Sequence, residues 1–328
     1  MYQAEPNAIE FARNTVLVDQ FCKIATLCGN TCPVVPLKGM SLLLSVYRDN
    51  YARSMADIDL LVAEENVPEL VQKLGGIGYR FRKSHDNLAL RLKLKQKFDM
   101  VHADKHFCDL DVHTALVNRK FSEYQAENFT AFALTRLQTK LFNGLHIACL
   151  NPLDEWLYLA QHYCFHFFTH NKWLHDLYLI QRTFTPPEVV QLLTNAKQFH
   201  FQRVLTAATL KLSQQYGHQT INIPQLTTRW RSLRFVLSYR QRNRFVHKIV
   251  IIYRRFLFID NTRNRNKALI KLLLPSLNYL SDTYRCNKLL AAILLPIHCL
   301  LYIFSLIAFF CILQSHSNTD KSKKTLIF

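Results

Sequence analysis

An α+β fold is what this sequence predicts. Up to about residue 120, short apolar segments of alternating polarity lie between helical segments; beyond that point the pattern is helical almost throughout. The clearest strand is "DIDLLV" (57–62), where Ile58, Leu60 and Val62 share one face and Asp57 and Asp59 the other. "FDMVHADKHFCDLDVHTAL" (98–116) predicts two further strands turning at Asp104-Lys105, with Phe107, Asp109, Asp111 and His113 on one face of the second.

Each remaining element has its own signal. From Pro6 to Gly29 the apolar residues Phe11, Val16, Val18, Phe21, Ile24 and Leu27 suit an amphipathic helix. "CPVVPLKG" reads as a short buried strand ending at Gly39, and "MSLLLSVYR" as a helix beginning just after it. "EENVPELVQKLGGIGY" is a helix that ends at its glycines. After about Lys120, "LDEWLYLAQHYCFHFFTHNKWLHDLYLIQRTF" is helical, and breaks fall near Pro186-Pro187 and Pro224. These shifts divide the chain into 1–120, a helical region 121–285, and an apolar segment 286–328.

The totals bound the class of protein. With 328 residues, 49% hydrophobic and 12% aromatic, the chain can bury a core and is not of disordered composition. Lys and Arg outnumber Asp and Glu 41 to 23, a net charge of +18 that favours an anionic partner. The nine cysteines form no CxxC pair and are odd in number. That argues against a zinc ribbon or a disulfide framework and for reduced thiols facing the cytosol. "MYQAEPNAIEFARN" has no basic n-region followed by an apolar core, so a secretory signal is not expected.

Unpaired carboxylates are costly to bury in an apolar strand. Asp57 and Asp59, two positions apart, can instead share a divalent ion or hold a pair, and Asp111 on a second strand can complete the cluster. A strand, Gly39 and then a helix N-terminus make a backbone cradle for phosphate. The plainer alternative is an edge-strand pair facing solvent, partnered by Arg53 or Lys38.

The whole constellation resembles the nucleotidyltransferase superfamily that includes DNA polymerase beta. More closely, it is similar to an uncharacterised bacterial nucleotidyltransferase family. The residues that carry the likeness are Leu37-Lys38-Gly39, Tyr47, Arg53, Asp57-Ile58-Asp59-Leu60-Leu61-Val62, Gly78-Tyr79 and Asp111-Val112-His113, between about residues 30 and 115. The resemblance implies a nucleotidyltransferase-like mixed sheet with flanking helices in 1–120. It implies that Asp57, Asp59 and Asp111 hold Mg²⁺ or Mn²⁺, with Asp111 also able to act as base. It further implies that Lys38, Gly39, Ser41 and Arg53 contact an NTP. The reaction implied is transfer of a nucleoside monophosphate to an unknown acceptor with loss of pyrophosphate. In one respect the chain departs from the superfamily: Met40, rather than Gly or Ser, follows Gly39, and Ser41 comes one position later. Asp109 rivals Asp111 for the third carboxylate, and the Asp-Val-His match favours Asp111.

His162, His166 and His170 recur at helical spacing, but three such residues spread along about 12 Å of axis and cannot all reach one ion. Packing is the simpler role for them. In the resembling family a similar helix carries His, Trp and Asp, matched loosely by His170, Trp173 and Asp176. His113 reads as a structural hydrogen-bonding residue. "NFT" at Asn128 matches a glycosylation sequon but has no secretory context.

Thirteen Lys/Arg fall between Arg229 and Lys271 with Asp260 as the sole acid, and Leu289–Leu313 carries no formal charge. Twenty-five such residues can span a hydrocarbon core of about 30 Å, but Pro296 lies inside them and the basic "KSKK" follows, so a shallow re-entrant or interfacial segment and a buried helix are the alternatives. The basic segment suits nucleic acid, an anionic membrane surface, or a solvated helix face; the neighbouring apolar run favours the membrane over residues 229–313. The expectation is a protein at the cytoplasmic face of the membrane. Two alternatives to the enzyme are an inactive scaffold of the same fold, which Met40 favours, and a basic nucleic-acid-binding protein.

Overall fold

The computed structural model describes residues 8–47, 53–82, 88–89, 92, 96–117, 123–217, 256, 258–260, 262–284 and 286–324. The basic segment 229–271 lies outside these residues as far as Arg255. The chain forms two compact units. The first comprises the described residues up to 119, with 123–159 and 175–184; the second contains 160–174 and the described residues from 185 onward.

The first unit is built on a mixed five-stranded sheet, as the sequence implied. Its strands are β1 (Val35–Pro36), β2 (Ile58–Leu61), β3 (Tyr79–Phe81), β4 (Lys97–His102) and β5 (Leu110–His113), in the order β1-β2-β5-β4-β3. Only β2 and β5 run parallel; the other pairs are antiparallel. Helices α1 (Ala8–Cys28), α2 (Lys38–Ser45) and α3 (Val67–Gly76) belong to the same unit.

Strand periodicity sorts the side chains. Ile58 and Leu60 of β2, Phe98 and Met100 of β4, and Leu110 and Val112 of β5 enter one core with Leu17, Phe21 and Ile24 of α1 and Leu70 and Leu74 of α3. Each fully buried side chain of this kind contributes roughly 1.5–3 kcal/mol. The alternate residues Asp59, Lys97, Asp99, Asp111 and His113 therefore fall on the opposite face of the three central strands.

Two local features differ from the sequence reading. The helix predicted to begin after Gly39 already begins at Lys38, whose φ of 51° is left-handed for a residue with a Cβ. Residues 138–149, expected to be helical, form a hairpin of β6 (Gln138–Phe142) and β7 (Leu145–Cys149). Asn143 and Gly144 both have positive φ, 48° and 78°, the geometry of a two-residue type I′ turn. Ile147 and Cys149 of β7 pack into the sheet's core, so tertiary burial supports the strand.

Further helices are α4 (Glu123–Leu134), α5 (Pro152–Phe165), α6 (Asn171–Gln181), α7 (Pro186–Gln198) and α8 (Gln202–Tyr216). A capping box joins Thr185 and Glu188 at the start of α7, where Pro186 fits the first turn. The second unit ends in α9 (Thr262–Leu273), α10 (Leu277–Tyr284) and α11 (Lys288–Lys324).

Candidate metal centre

Parallel pairing of β2 with β5 sets Asp59 opposite Asp111 and Leu61 opposite His113. On the other side of β5, Asp99 and Lys97 of β4 lie opposite Asp111 and His113. The sheet thus assembles a charged patch from three strands. One ligand atom each from Asp59, Asp111 and His113 lies within 4.8 Å of the other two. His113 Nε2 is 3.3 Å from Asp59 Oδ1 and 3.4 Å from Asp111 Oδ2. Among the described residues this is the group able to offer three ligand atoms to one ion.

Two lysines neutralise the carboxylates. Lys38 Nζ donates to Asp59 Oδ1 at 2.5 Å, and Lys97 Nζ donates to Asp111 Oδ2. Burial would lower the Lys38 pKa, but the Tyr158 hydroxyl, Asp59 and Asp111 more than reverse this, and it lies above its usual value. Burial would raise Asp111, yet His113 and Lys97 hold its carboxyl well below the usual range. His113 is raised, because its bonds to Asp111 and Asp59 outweigh the burial that opposes its charge.

The donor set fits a divalent cation. Two carboxylates are hard oxygen ligands, and Asp111 Oδ1 is a buried oxygen with no hydrogen-bond partner. The lysines occupy the carboxylate oxygens that a metal would otherwise neutralise.

Asp57 stands outside the 4.8 Å group, on the bend before β2. It is exposed by area, but its carboxyl is crowded. Desolvation raises its pKa, the charges of Asp59 and Asp111 add to this, and Lys38 and Lys97 oppose it. Asp109 is half exposed and paired with Arg82 at 2.6 Å. Gly39 lies in the first turn of α2, where an added Cβ would fall 2.7 Å from Met55 Cγ. A methionine side chain, then, is what the missing Cβ admits. Ser41 is buried and faces the Glu155 carboxyl without a hydrogen bond of ordinary geometry.

Arg53 is also buried. Its Nε donates to both oxygens of Asp176 at 2.9 and 3.0 Å, and its second terminal nitrogen donates to Oδ2 at 2.8 Å. Tyr47 adds a bond to Asp176 Oδ1 at 2.7 Å, and Asn14 Nδ2 donates to the Arg53 carbonyl. These bonds tie the stretch leading into β2 to α6 within the same unit.

In the second unit, His162, His166 and His170 each pack edge-on against Trp173, with ring centroids 4.7, 5.2 and 4.5 Å away. Sequence reasoning missed Lys97 and Asp99, although the alternation in "KFDMVH" places both on the face opposite Phe98 and Met100.

The family model described as an uncharacterised nucleotidyltransferase matches residues 7–217. The chain belongs to this family. No curated protein and no solved structure matches it. Membership of a nucleotidyltransferase family supports nucleotidyl transfer in general and a nucleotide as substrate. The Asp59–Asp111–His113 cluster agrees with the divalent metals such enzymes use.

Proposed function

We propose that the chain transfers a nucleoside monophosphate from an NTP to a hydroxyl or phosphate acceptor, with Mg²⁺ or Mn²⁺ held by Asp59 and Asp111 and flanked by Asp57. The observation that carries this reading is the in-register pair Asp59–Asp111, with His113 within 4.8 Å of both, in a family of nucleotidyltransferases. When bound, the ion would neutralise phosphate charge and lower the pKa of the attacking hydroxyl.

The chain's own residues account for the rest. Lys38 and Lys97 are the cations nearest the carboxylates; released from them, each can take a triphosphate oxygen. The α2 N-terminus adds backbone N–H donors near Lys38. In the transfer, the acceptor oxygen bonds the α-phosphorus, the bond to the β-phosphate oxygen breaks, and pyrophosphate departs. The acceptor's proton goes to Asp111. Because His113 and Lys97 hold that carboxyl at low pKa, accepting a proton calls for both to release it, Lys97 by moving onto the incoming phosphates. The buried Arg53–Asp176 pair holds the approach to β2 rather than the nucleotide.

A second reading has support in the same lysines. Ammonium groups already balance Asp59 and Asp111, as in a metal-independent nucleotide-binding scaffold. Binding of each NTP to the full chain, with and without Mg²⁺ or Mn²⁺, separates the two. Metal-dependent binding lost in Asp59→Asn and Asp111→Asn supports the enzyme. Metal-independent binding retained in both supports the scaffold.

For location, we propose the cytoplasmic face of a membrane. The support is α11: Lys288–Cys311 is long and apolar enough to cross a bilayer, and most of it is exposed.

A further inference from the structure

The membrane proposal leaves open how α11 meets lipid, and the packing of the second unit's last three helices bears on this. The apolar run of α11 is interrupted by His298, which is 2% exposed. Its Nε2–H donates to the Leu272 carbonyl at 3.1 Å, and its Nδ1 accepts from the Tyr284 hydroxyl at 2.9 Å. Cys299 Sγ donates to the Leu273 carbonyl at 3.1 Å. Leu272 and Leu273 are the last residues of α9, whose carbonyls have no partner within that helix. The polar atoms of α11 thus cap α9, and Ala291 and Phe309 are buried on the same side.

The other side is covered by nothing among the described residues. Leu289, Ile293, Leu300, Phe304, Ile307 and Phe310 are each more than half exposed. At about 100° per residue they fall on one half of the helix, opposite His298. Ile270 and Leu274, at the end of α9, are exposed as well, at 56% and 62%.

A helix that crosses a bilayer places its middle in hydrocarbon. His298 lies near the middle of Lys288–Cys311, and it holds the end of α9, a helix carrying Arg263, Arg265, Lys267 and Lys271. Lys271 is exposed and adjoins Leu272. A crossing would therefore draw the last turn of α9, with Lys271, toward the bilayer centre, where a cation is strongly disfavoured. An in-plane helix avoids this. Its apolar half enters the acyl boundary, and α9 stays at headgroup level with its lysines toward lipid phosphates.

We infer that α9, α10 and α11 form a monotopic anchor that lies in the plane of an anionic bilayer surface, with the exposed half of α11 buried in lipid. The inference rests on the membrane reading above and fixes its mode. The alternating accommodation is simple: polar caps face α9 and α10, apolar side chains face lipid, and basic side chains sit at the level between.

The test uses the full chain and phosphatidylcholine vesicles with or without phosphatidylglycerol. Cosedimentation should require the anionic lipid, weaken with salt, and fall at least about tenfold in Leu300→Asp/Phe304→Asp. Both positions are exposed, so circular dichroism should show the variant folded. Lys267→Glu/Lys271→Glu should remove the preference for anionic lipid. Depth is read by quenching tryptophans placed singly as Leu289→Trp, Leu300→Trp and Phe310→Trp, each as the difference from the parent chain. Equal, shallow depths are expected. A deep Leu300→Trp between shallow ends would overturn the in-plane mode and leave membrane attachment standing. No vesicle binding by the folded parent would overturn both. Self-association lost in the Asp variant, without vesicle binding, would show a second copy as the occupant.

Discussion

Arg53 and Asp176, 123 positions apart, form a buried pair with three contacts between 2.8 and 3.0 Å. The same Asp176 accepts from Tyr47. One carboxylate on α6 thereby fixes two points of the segment between α2 and β2, the segment that leads to Asp57 and Asp59. The pair matters less for its gross energy than for the cost of breaking it, because either partner left alone is a buried charge.

Replacing Asp176 with Asn should therefore destabilise the protein by about 3–5 kcal/mol, whereas Tyr47→Phe should cost only about 1 kcal/mol. Urea unfolding measures both. Arg53→Lys should fall near Asp176→Asn, since an ammonium cannot supply the forked contact. Equal small losses in all three variants would show that the pair does not hold the segment.

If Asp111 holds a divalent ion as proposed, Lys97, which donates to the same carboxylate, competes with it. In Lys97→Met the ammonium no longer occupies the Asp111 carboxylate, and the site loses one positive charge. Mn²⁺ alone should bind at least about threefold tighter, given the few ångströms between the charges and their partial screening. NTP should bind more weakly if Lys97 is the group that moves to phosphate. Mn²⁺ electron paramagnetic resonance gives the first quantity and titration calorimetry the second. Unchanged Mn²⁺ affinity would place the ion away from Asp111.

How much of this was legible in the sequence follows from the range of each interaction. Alternation over four to six residues exposed β2, β4 and β5 and the faces on which Asp59 and Asp111 lie. It also carried Lys97 and Asp99, but their part in the site depends on the pairing of β4 with β5, which alternation does not reveal. Asp57 shares the parity of Asp59, but β2 begins only at Ile58, and parity does not mark where a strand starts. "FNGL" holds the strongest short hairpin signal, Asn-Gly between apolar residues, yet the helical character on both sides masked it. The Arg53–Asp176 pair was out of reach. Nothing local distinguishes an arginine held by a distant carboxylate from one that awaits phosphate. The sequon at Asn128 falls inside α4.

Two glycines test what the turns require. Gly144 has φ of 78° and open space where a Cβ would go; Gly78 has φ of 97° and His102 Nε2 only 2.8 Å from that point. Gly144→Ala should cost about 1 kcal/mol, the conformational penalty alone. Gly78→Ala carries the same penalty and must also displace His102, which is held by the Ile77 carbonyl at 2.6 Å and stacked on Phe107. Its cost should be larger by at least about 1 kcal/mol. Denaturant midpoints of the two variants decide the order.

Glu155 contributes a pH dependence to the stability. It is 3% exposed, and burial pushes its carboxyl up to about 7; Ser41 and Lys140 pull downward, and the charge of Asp176 adds to the rise. The unfolded chain releases this proton near the ordinary value of 4.5. Between those two values Glu155 is protonated in the native state and ionised in the unfolded one, so its contribution to stability is full below about pH 4.5 and is lost as pH rises through about 7. Asp154, raised to about 6 by burial against the opposing charge of Arg136, acts in the same direction. At roughly 1.4 kcal/mol per unit, the Glu155 contribution is of order 3–4 kcal/mol. Glu155→Gln keeps the shape and removes the charge. Its melting temperature should match the parent's near pH 5 and exceed it near pH 8.5. A constant difference across that range would mean that Glu155 stays ionised in the native protein, with Lys140 rather than burial setting its state.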